Sequence, residues 1–498
     1  MQGPRNGASR ADPQADSMTI NISRRKLLAG AGIGAGAIAV GASATLLNDG
    51  IPAEPSSILR IDALPSDDPT PGWFHTSRVR TPRPPLIGDA KAPWVVIGGG
   101  FTGLAAARQL ALNFPQDVVI LVEAQQVGFG TSGRNAGFLI DVPHDISAPD
   151  YIGDQKIARN ILDLNKTGQG ILRDLVEQHN IVDAQLRHSG KYQAAVEDSG
   201  IAVLEAYRGG LEKLGQPCHI IEGKDLPDIL GTSFYRKALY TPGTMLVQPS
   251  ALVKGLADSL PENVHLYEDT AITAVDYSGK ETVLHHASGT ITAGKLILAN
   301  NAFGTHFGFL ERRILPMFTY GSLTRPLTAA EQASIGGHEF WGVIPADPFG
   351  TTLRRTHDNR ILVRNSFTFN EDGRHKPGAT EKFRKNHRLS FERRFPTLSQ
   401  VPFDYTWGGG LGMTRNGNSF FGELRPNVYG ALGCNGLGTV RGTATGTLLA
   451  DWLAGKSHPL TEFLLSVPKP NYNPPDPFLT IGVNFTLRKG QNAAGLEA

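Results

Sequence analysis

The apolar positions of this chain fall into short unbroken runs set off by glycine clusters, and the clearest run opens the stretch 93–138. Trp94-Val95-Val96-Ile97 lacks the polar alternation of a half-exposed strand, which predicts a strand covered on both faces. Three glycines end it, a helical pattern runs from Leu104 to Leu112, and Val118 to Val122 forms a second apolar strand. Strand, tight turn, helix and strand in about 30 residues predict a βαβ unit.

Beyond it the period changes. From Gln155 to Asn180 apolar residues recur at helical spacing (Ile157, Ile161, Leu164, Ile171, Leu172, Leu175), predicting an amphipathic helix, followed by a strand at Gly190 to Val196 and a helix at Ile201 to Leu214. Gln248-Pro249-Ser250 opens a helix, Ala251 to Leu260, after which short strands at His265 to Tyr267, Ala271 to Tyr277, Thr282 to His285 and Lys295 to Ala302 return the chain to the first sheet. Phe318 to Leu323, Thr351 to Arg355 and Ile361 to Phe369 have the profile of an antiparallel sheet. The charged helix that follows (Lys382, Arg384, Lys385, Arg388, Arg393, Arg394) reads as a solvated face.

With 498 residues, 40% hydrophobic and 19% charged, two domains of ordinary globular composition are expected. The net charge of +2 comes from basic residues before residue 44, so the rest is nearly neutral and no nucleic-acid partner is implied. Cys218 and Cys434 stand in unlike contexts, as free thiols would. The eight prolines between 52 and 85 describe a linker draped over the surface. Ser23-Arg24-Arg25-Lys26-Leu27-Leu28 and the Ala/Gly-rich stretch after it resemble a bacterial twin-arginine signal, with Ala42-Ser43-Ala44 offering a cleavage site. Its length also allows an uncleaved anchor, so the expected location is the periplasm or the periplasmic face of the membrane.

The candidate chemistry sits in the turns. Gly98, Gly100 and Gly103 form G-x-G-x-x-G, with Phe101 and Thr102 opening the helix whose amide-rich end suits a diphosphate. Glu123, followed by Ala124, ends the second strand where a ribose hydroxyl would be bound. NAD and FAD share this pattern. A second glycine loop, Gly128-Phe129-Gly130-Thr131-Ser132-Gly133-Arg134-Asn135-Ala136-Gly137-Phe138, favours FAD.

These two motifs at this separation resemble the D-amino-acid-oxidase and glycine-oxidase superfamily, in particular its gamma-glutamylputrescine oxidoreductase-like branch. The resemblance implies an α/β fold: a Rossmann-type, glutathione-reductase-like FAD domain (93–145, 246–305, 406–460) and a discontinuous antiparallel-sheet substrate domain (146–245, 306–405). A signal or anchor (1–47), a linker (48–92) and a tail (461–498) complete the chain. It implies that Gly130, Thr131, Ser132, Arg134, Asn135 and Ala136 pass the cofactor, that Ile272, Ala299 and Asn300 meet its nucleotide end, and that Gly408 belongs to the C-terminal flavin-binding region. Gly436, Leu437, Gly438 and Thr439 would set amides against the flavin N1 and C2 carbonyl.

The cysteine and histidine that link flavin covalently in some relatives are missing, so dissociable FAD is expected, with no metal. No lysine lies between Phe349 and Phe369, where sarcosine-oxidase relatives place one to promote reaction with oxygen; oxygen and a membrane quinone or electron carrier therefore both stand as acceptors. Arg354 takes the place of a sheet arginine that clamps a carboxylate, and Tyr320 and Trp407 are candidate pocket walls. The expected activity is oxidation of the C–N bond of a small amine or amino acid; an exported, non-catalytic flavin-binding or assembly protein is the alternative.

Overall fold

A computed structural model describes residues 58–498. The twin-arginine segment and its cleavage site lie outside the described residues.

Nine strands among these residues form the first sheet, in the order Leu59–Arg60, Ala274–Asp276, Thr282–His286, Gly289–Leu298, Ala90–Ile97, Val119–Val122, Val264–Tyr267, with Val428–Leu432 also pairing Gly289–Leu298 and Phe420–Arg425 pairing Val428–Leu432. The central strands are parallel and buried on both faces, as their unbroken apolar runs require. Their register aligns the carboxyl ends: Ile97 lies beside Val122 on one side and Leu298 on the other. Helices Phe101–Asn113 and Gly438–Leu453 cover one face.

The second sheet has eight strands, ordered Phe403–Thr414, Ile314–Thr324, Ile361–Phe369, Thr352–Arg355, Trp341–Pro345, Lys191–Ala195, Lys237–Thr241, His219–Glu222. It is antiparallel except where Trp341–Pro345 runs alongside Lys191–Ala195. Phe403–Thr414 is one continuous strand of this sheet, so Trp407 to Gly412 serve the second domain as well as the first. The long helix Gln155–Gln178, capped by Asp154 accepting from the Lys156 and Ile157 amides (2.9 Å each), links the two.

The proline-rich segment is more than a surface drape. Leu59–Arg60 extends the first sheet against Ala274 and Val275, Ile61 enters its core, and a short helix, Gly72–Thr76, buries Trp73 edge-on against Trp407 (6.3 Å). Asp68 forms a buried ion pair with Arg134 (2.8 Å), and Lys254 Nζ donates to Ser77 Oγ (2.8 Å) while lying over the Phe74 ring. Residues 58–92 thus form a strap across the joint of the two sheets.

The tail holds a helix, Phe478–Ala493, whose Leu487 packs on Leu315, Met317 and Phe369. The charged helix is Ala379–Arg394, and its last arginine is buried, bonded to Tyr235 and Ser390. Cys218 and Cys434 are free thiols.

Removing one partner of a buried ion pair leaves the other charge uncompensated, at about 3–5 kcal/mol. Asp68→Ala should lose that much stability in urea unfolding and expose the strap to limited proteolysis.

Candidate active site

Two glycine loops meet beyond the aligned strand ends. Gly98 takes φ +109°, and a Cβ on Gly103 would lie 1.8 Å from the Gly98 carbonyl oxygen, so both positions require glycine. The helix beginning at Phe101 has no side-chain cap from Gly100 and no acid in its first turn. The second loop closes on the first: Ser132 Oγ accepts from the Phe101 amide (3.3 Å) and would lie 2.6 Å from a Cβ on Gly100.

Glu123 accepts from the Gly99 amide (2.7 Å) and the Gln125 amide (3.0 Å), which leaves carboxylate lone pairs free. Burial pushes its carboxyl above the usual range; the two amides pull it down, and Glu268 and Asp67 add to the rise. Gly98, Gly100, Glu123, Ala124, Gly130, Thr131, Ser132, Ile272, Ala299 and Asn300 line one elongated cleft, joined by Leu64, Pro65 and Asp67 of the strap. Asn300 Oδ1 is buried there with no partner.

A second cavity of about 370 Å³ adjoins the first across Leu411. Arg134, Asn135 and Ala136 border it on one side and Gly436, Leu437 and Thr439 on another, at the uncapped start of helix Gly438–Leu453. The substrate-domain sheet supplies Met317, Thr319, Leu362, Arg364 and Trp407. The uncapped helix ends, the orphaned Asn300 oxygen and the open capacity of Glu123 fit a dinucleotide carrying a flat ring system into the second cavity.

Residues 93–452 match the family described as FAD dependent oxidoreductase (DAO). The chain belongs to this family. Gamma-glutamylputrescine oxidoreductase of Escherichia coli is 29% identical over 373 residues, 74% of this chain and 85% of that protein. "Probable oxidoreductase OrdL" of Rhizobium meliloti is 27% identical over 405 residues, 77% of this chain and 88% of that one. Glycine oxidase from Geobacillus kaustophilus shares the fold at TM-score 0.62 and 20% identity, over 76% of this chain and 99% of that structure. The protein is thus an FAD-dependent oxidoreductase related to amine and amino-acid oxidases.

In this DAO-family enzyme several side chains singled out above do other work. The Arg134 guanidinium is spent on Asp68, the Phe129 carbonyl (2.6 Å) and the Gly408 carbonyl (3.0 Å), so it holds the loop together from behind. Gly408 gives its amide to Asp68 (2.9 Å) and borders neither cavity. Phe101, Thr102, Gly103 and Gly438 shape the helix starts without lining either cavity themselves.

Arg354 is not on the cavity. It shares a sheet face with Thr352, but its guanidinium is roofed by the flavin loop, donating to the Val247 and Ala136 carbonyls between the rings of Trp73 and Phe340. Burial pulls its pKa down to about 9. Tyr320 borders the cavity, with its ring stacked on Phe383 (4.2 Å) and its hydroxyl bonded to Thr368 (2.9 Å). Trp407 does form a wall, its Nε1 fixed by the Arg134 carbonyl (3.0 Å).

Sequence reasoning missed Arg364, two strand positions beyond Leu362, and Arg441, on the last helix. It also missed two organising asparagines. Asn301 Oδ1 accepts from the Gly433 and Cys434 amides (3.1 and 3.2 Å), and Asn435 Oδ1 from the Thr414 amide (2.8 Å), tying the strand-end turn to the C-terminal loop. Both have φ near +50°, a left-handed conformation in which asparagine is enriched.

Overpacking of a tight contact costs about 1–3 kcal/mol. Gly103→Ala should therefore weaken FAD affinity roughly tenfold to a hundredfold, read by titrating the apoprotein with FAD and following flavin fluorescence.

Proposed function

We propose that the protein oxidises the C–N bond of an amine or amino acid that carries an acidic group, with non-covalently bound FAD. The observation that carries this reading is Arg364. Its guanidinium is recessed in the second cavity, donates only to Thr352 Oγ1 (3.3 Å) and has no carboxylate within ion-pair distance among the described residues. Burial lowers its pKa to about 10, so it remains charged at neutral pH. A recessed cation without a counter-charge is costly, and a substrate carboxylate offsets that cost.

When bound, the flavin supplies a two-electron oxidation, taking hydride from the carbon beside the nitrogen. The nucleotide would lie along Gly98 to Gly100, Glu123 and Asn300, with its ring between Ala136 and the amides of Gly436 to Thr439. Met317, Leu362, Phe367 and Leu411 give the cavity an apolar lining that holds water away from the reacting carbon. Burial, with Lys191 and Arg441 nearby, holds His144 at about 3, and Asp145 Oδ1 accepts from the amide and hydroxyl of Ser147 (2.9 and 2.6 Å). An amine that arrives deprotonated needs no base from the lining. The sequence around Arg24 and Arg25 supports export by the twin-arginine route.

Mixing the holoprotein anaerobically with a panel of amines and amino acids should bleach the flavin for acidic members, with a rate that rises with pH through the pKa of the substrate amine. A fully oxidised spectrum with every compound would favour a non-catalytic flavoprotein. Arg364→Met should raise the KM for an acidic substrate about 30-fold or more, in line with about 2 kcal/mol or more for a charged pair, while kcat changes far less. Replacing Arg24 and Arg25 by lysine should leave the protein in the cytoplasm on cell fractionation.

A further inference from the structure

The second cavity contains another arginine that the proposed chemistry leaves unused. Arg441, on the first turn of helix Gly438–Leu453, lines the same cavity as Arg364 but from the helical wall. Its Nε donates to Asn165 Oδ1 (3.0 Å), and Asn165 is itself fixed by the Val142 carbonyl (3.1 Å). This pair of bonds orients the guanidinium and leaves both Nη atoms without a protein partner among the described residues. Burial lowers the pKa of Arg441 to about 10, as it does for Arg364, so both are cations at neutral pH.

No carboxylate reaches ion-pair distance of either guanidinium among the described residues. Asp145, the one carboxylate in the lining, favours the charge on Arg441 from farther off, and its Oδ1 accepts from the amide and hydroxyl of Ser147. His144 stands beside them, neutral, with a buried Nδ1 that has no partner. Arg134, the other recessed arginine on the lining, is neutralised by Asp68, and Arg415 is exposed and donates to the Tyr472 carbonyl. Two guanidiniums that line the same cavity, one from the sheet and one from the helix, and reach no carboxylate at ion-pair distance are each costly without an anion.

We propose that Arg441 and Arg364 are the two ends of a single substrate site, and that the substrate is an amine with an anionic group on each side of the oxidised C–N bond, as in an imino diacid. Arg364 takes one carboxylate from the sheet, Arg441 the other from the helix. The unpartnered His144 nitrogen offers a neutral hydrogen-bonding group beside the second carboxylate. The proposal rests on the reading of this cavity as the substrate site, and its test involves no turnover.

The test is equilibrium binding of straight-chain α,ω-dicarboxylates, from malonate to pimelate, and of the matching monocarboxylates to the FAD-loaded protein. Binding is followed by isothermal titration calorimetry and by perturbation of the flavin spectrum. One dicarboxylate length should bind at least tenfold tighter than its monocarboxylate. Arg441→Met should abolish that advantage while the monocarboxylate still binds, Arg364→Met should abolish it too, and Arg441→Lys should restore part of it. Flavin content and circular dichroism confirm that each variant is folded. Dicarboxylates that bind no better than monocarboxylates at any length overturn the proposal, as does an advantage that survives in Arg441→Met. If the dicarboxylate preference holds while no amine reduces the flavin, the oxidase reading fails and the two-ended site stands; amines that reduce the flavin without any such preference give the reverse.

Discussion

Two helices that start far apart in the sequence bring their amino ends to adjoining cavities, and their backbones touch to do so. Helix Phe101–Asn113 and helix Gly438–Leu453 meet where a Cβ on Gly442 would lie 2.5 Å from Thr102 Oγ1 and one on Gly446 2.2 Å from the Thr102 carbonyl. Helix Gln155–Gln178 approaches as closely, since a Gly168 Cβ would lie 2.0 Å from the Val440 carbonyl. Larger residues at these crossings would separate the helices and pull their partial positive ends off the cleft. The placement of both cavities follows from that contact.

Much of this could be read from the chain. The parallel strands are legible because a strand covered on both faces cannot alternate, and the glycine turns because each close approach excludes a side chain. What could not be read is where a given side chain on the second sheet ends up. Arg354 and Arg364 lie on adjacent paired strands with the same residue type, and only the loop that roofs Arg354, from Ala136 to Gly137, distinguishes them. Phe367 is a second case: the bulge at Ser366 shifts the alternation of its strand, so that Phe367 joins Leu362 and Arg364 on the cavity. The strap eluded reading for another reason: proline excludes helix and central strand but does not say what the segment packs against. The tail helix begins just after Pro477, with no side-chain cap to announce it.

The arginines divide by what meets them. Arg80 is held by Asp258 and Glu268, and Arg134 by Asp68, and both join segments distant in sequence. Arg354 has backbone carbonyls and two aromatic rings, a neutral cradle that lets a cation be buried for structure alone. Arg364 has one hydroxyl and the Phe367 ring, and Arg441 one amide oxygen. Composition cannot separate these groups; only the count of acceptors around each guanidinium does.

The strap has a bearing on how the cofactor is held. Leu64, Pro65 and Asp67 border the nucleotide cleft, and the neighbouring Asp68 and Trp73 are locked into the joint between the sheets. A dinucleotide in that cleft would lie against three residues of a segment whose own hold on the joint is a buried ion pair and a buried tryptophan. Whatever loosens the strap then also strips one wall from the cofactor's bed, so the grip on the nucleotide and the local stability of residues 58–92 rise and fall together.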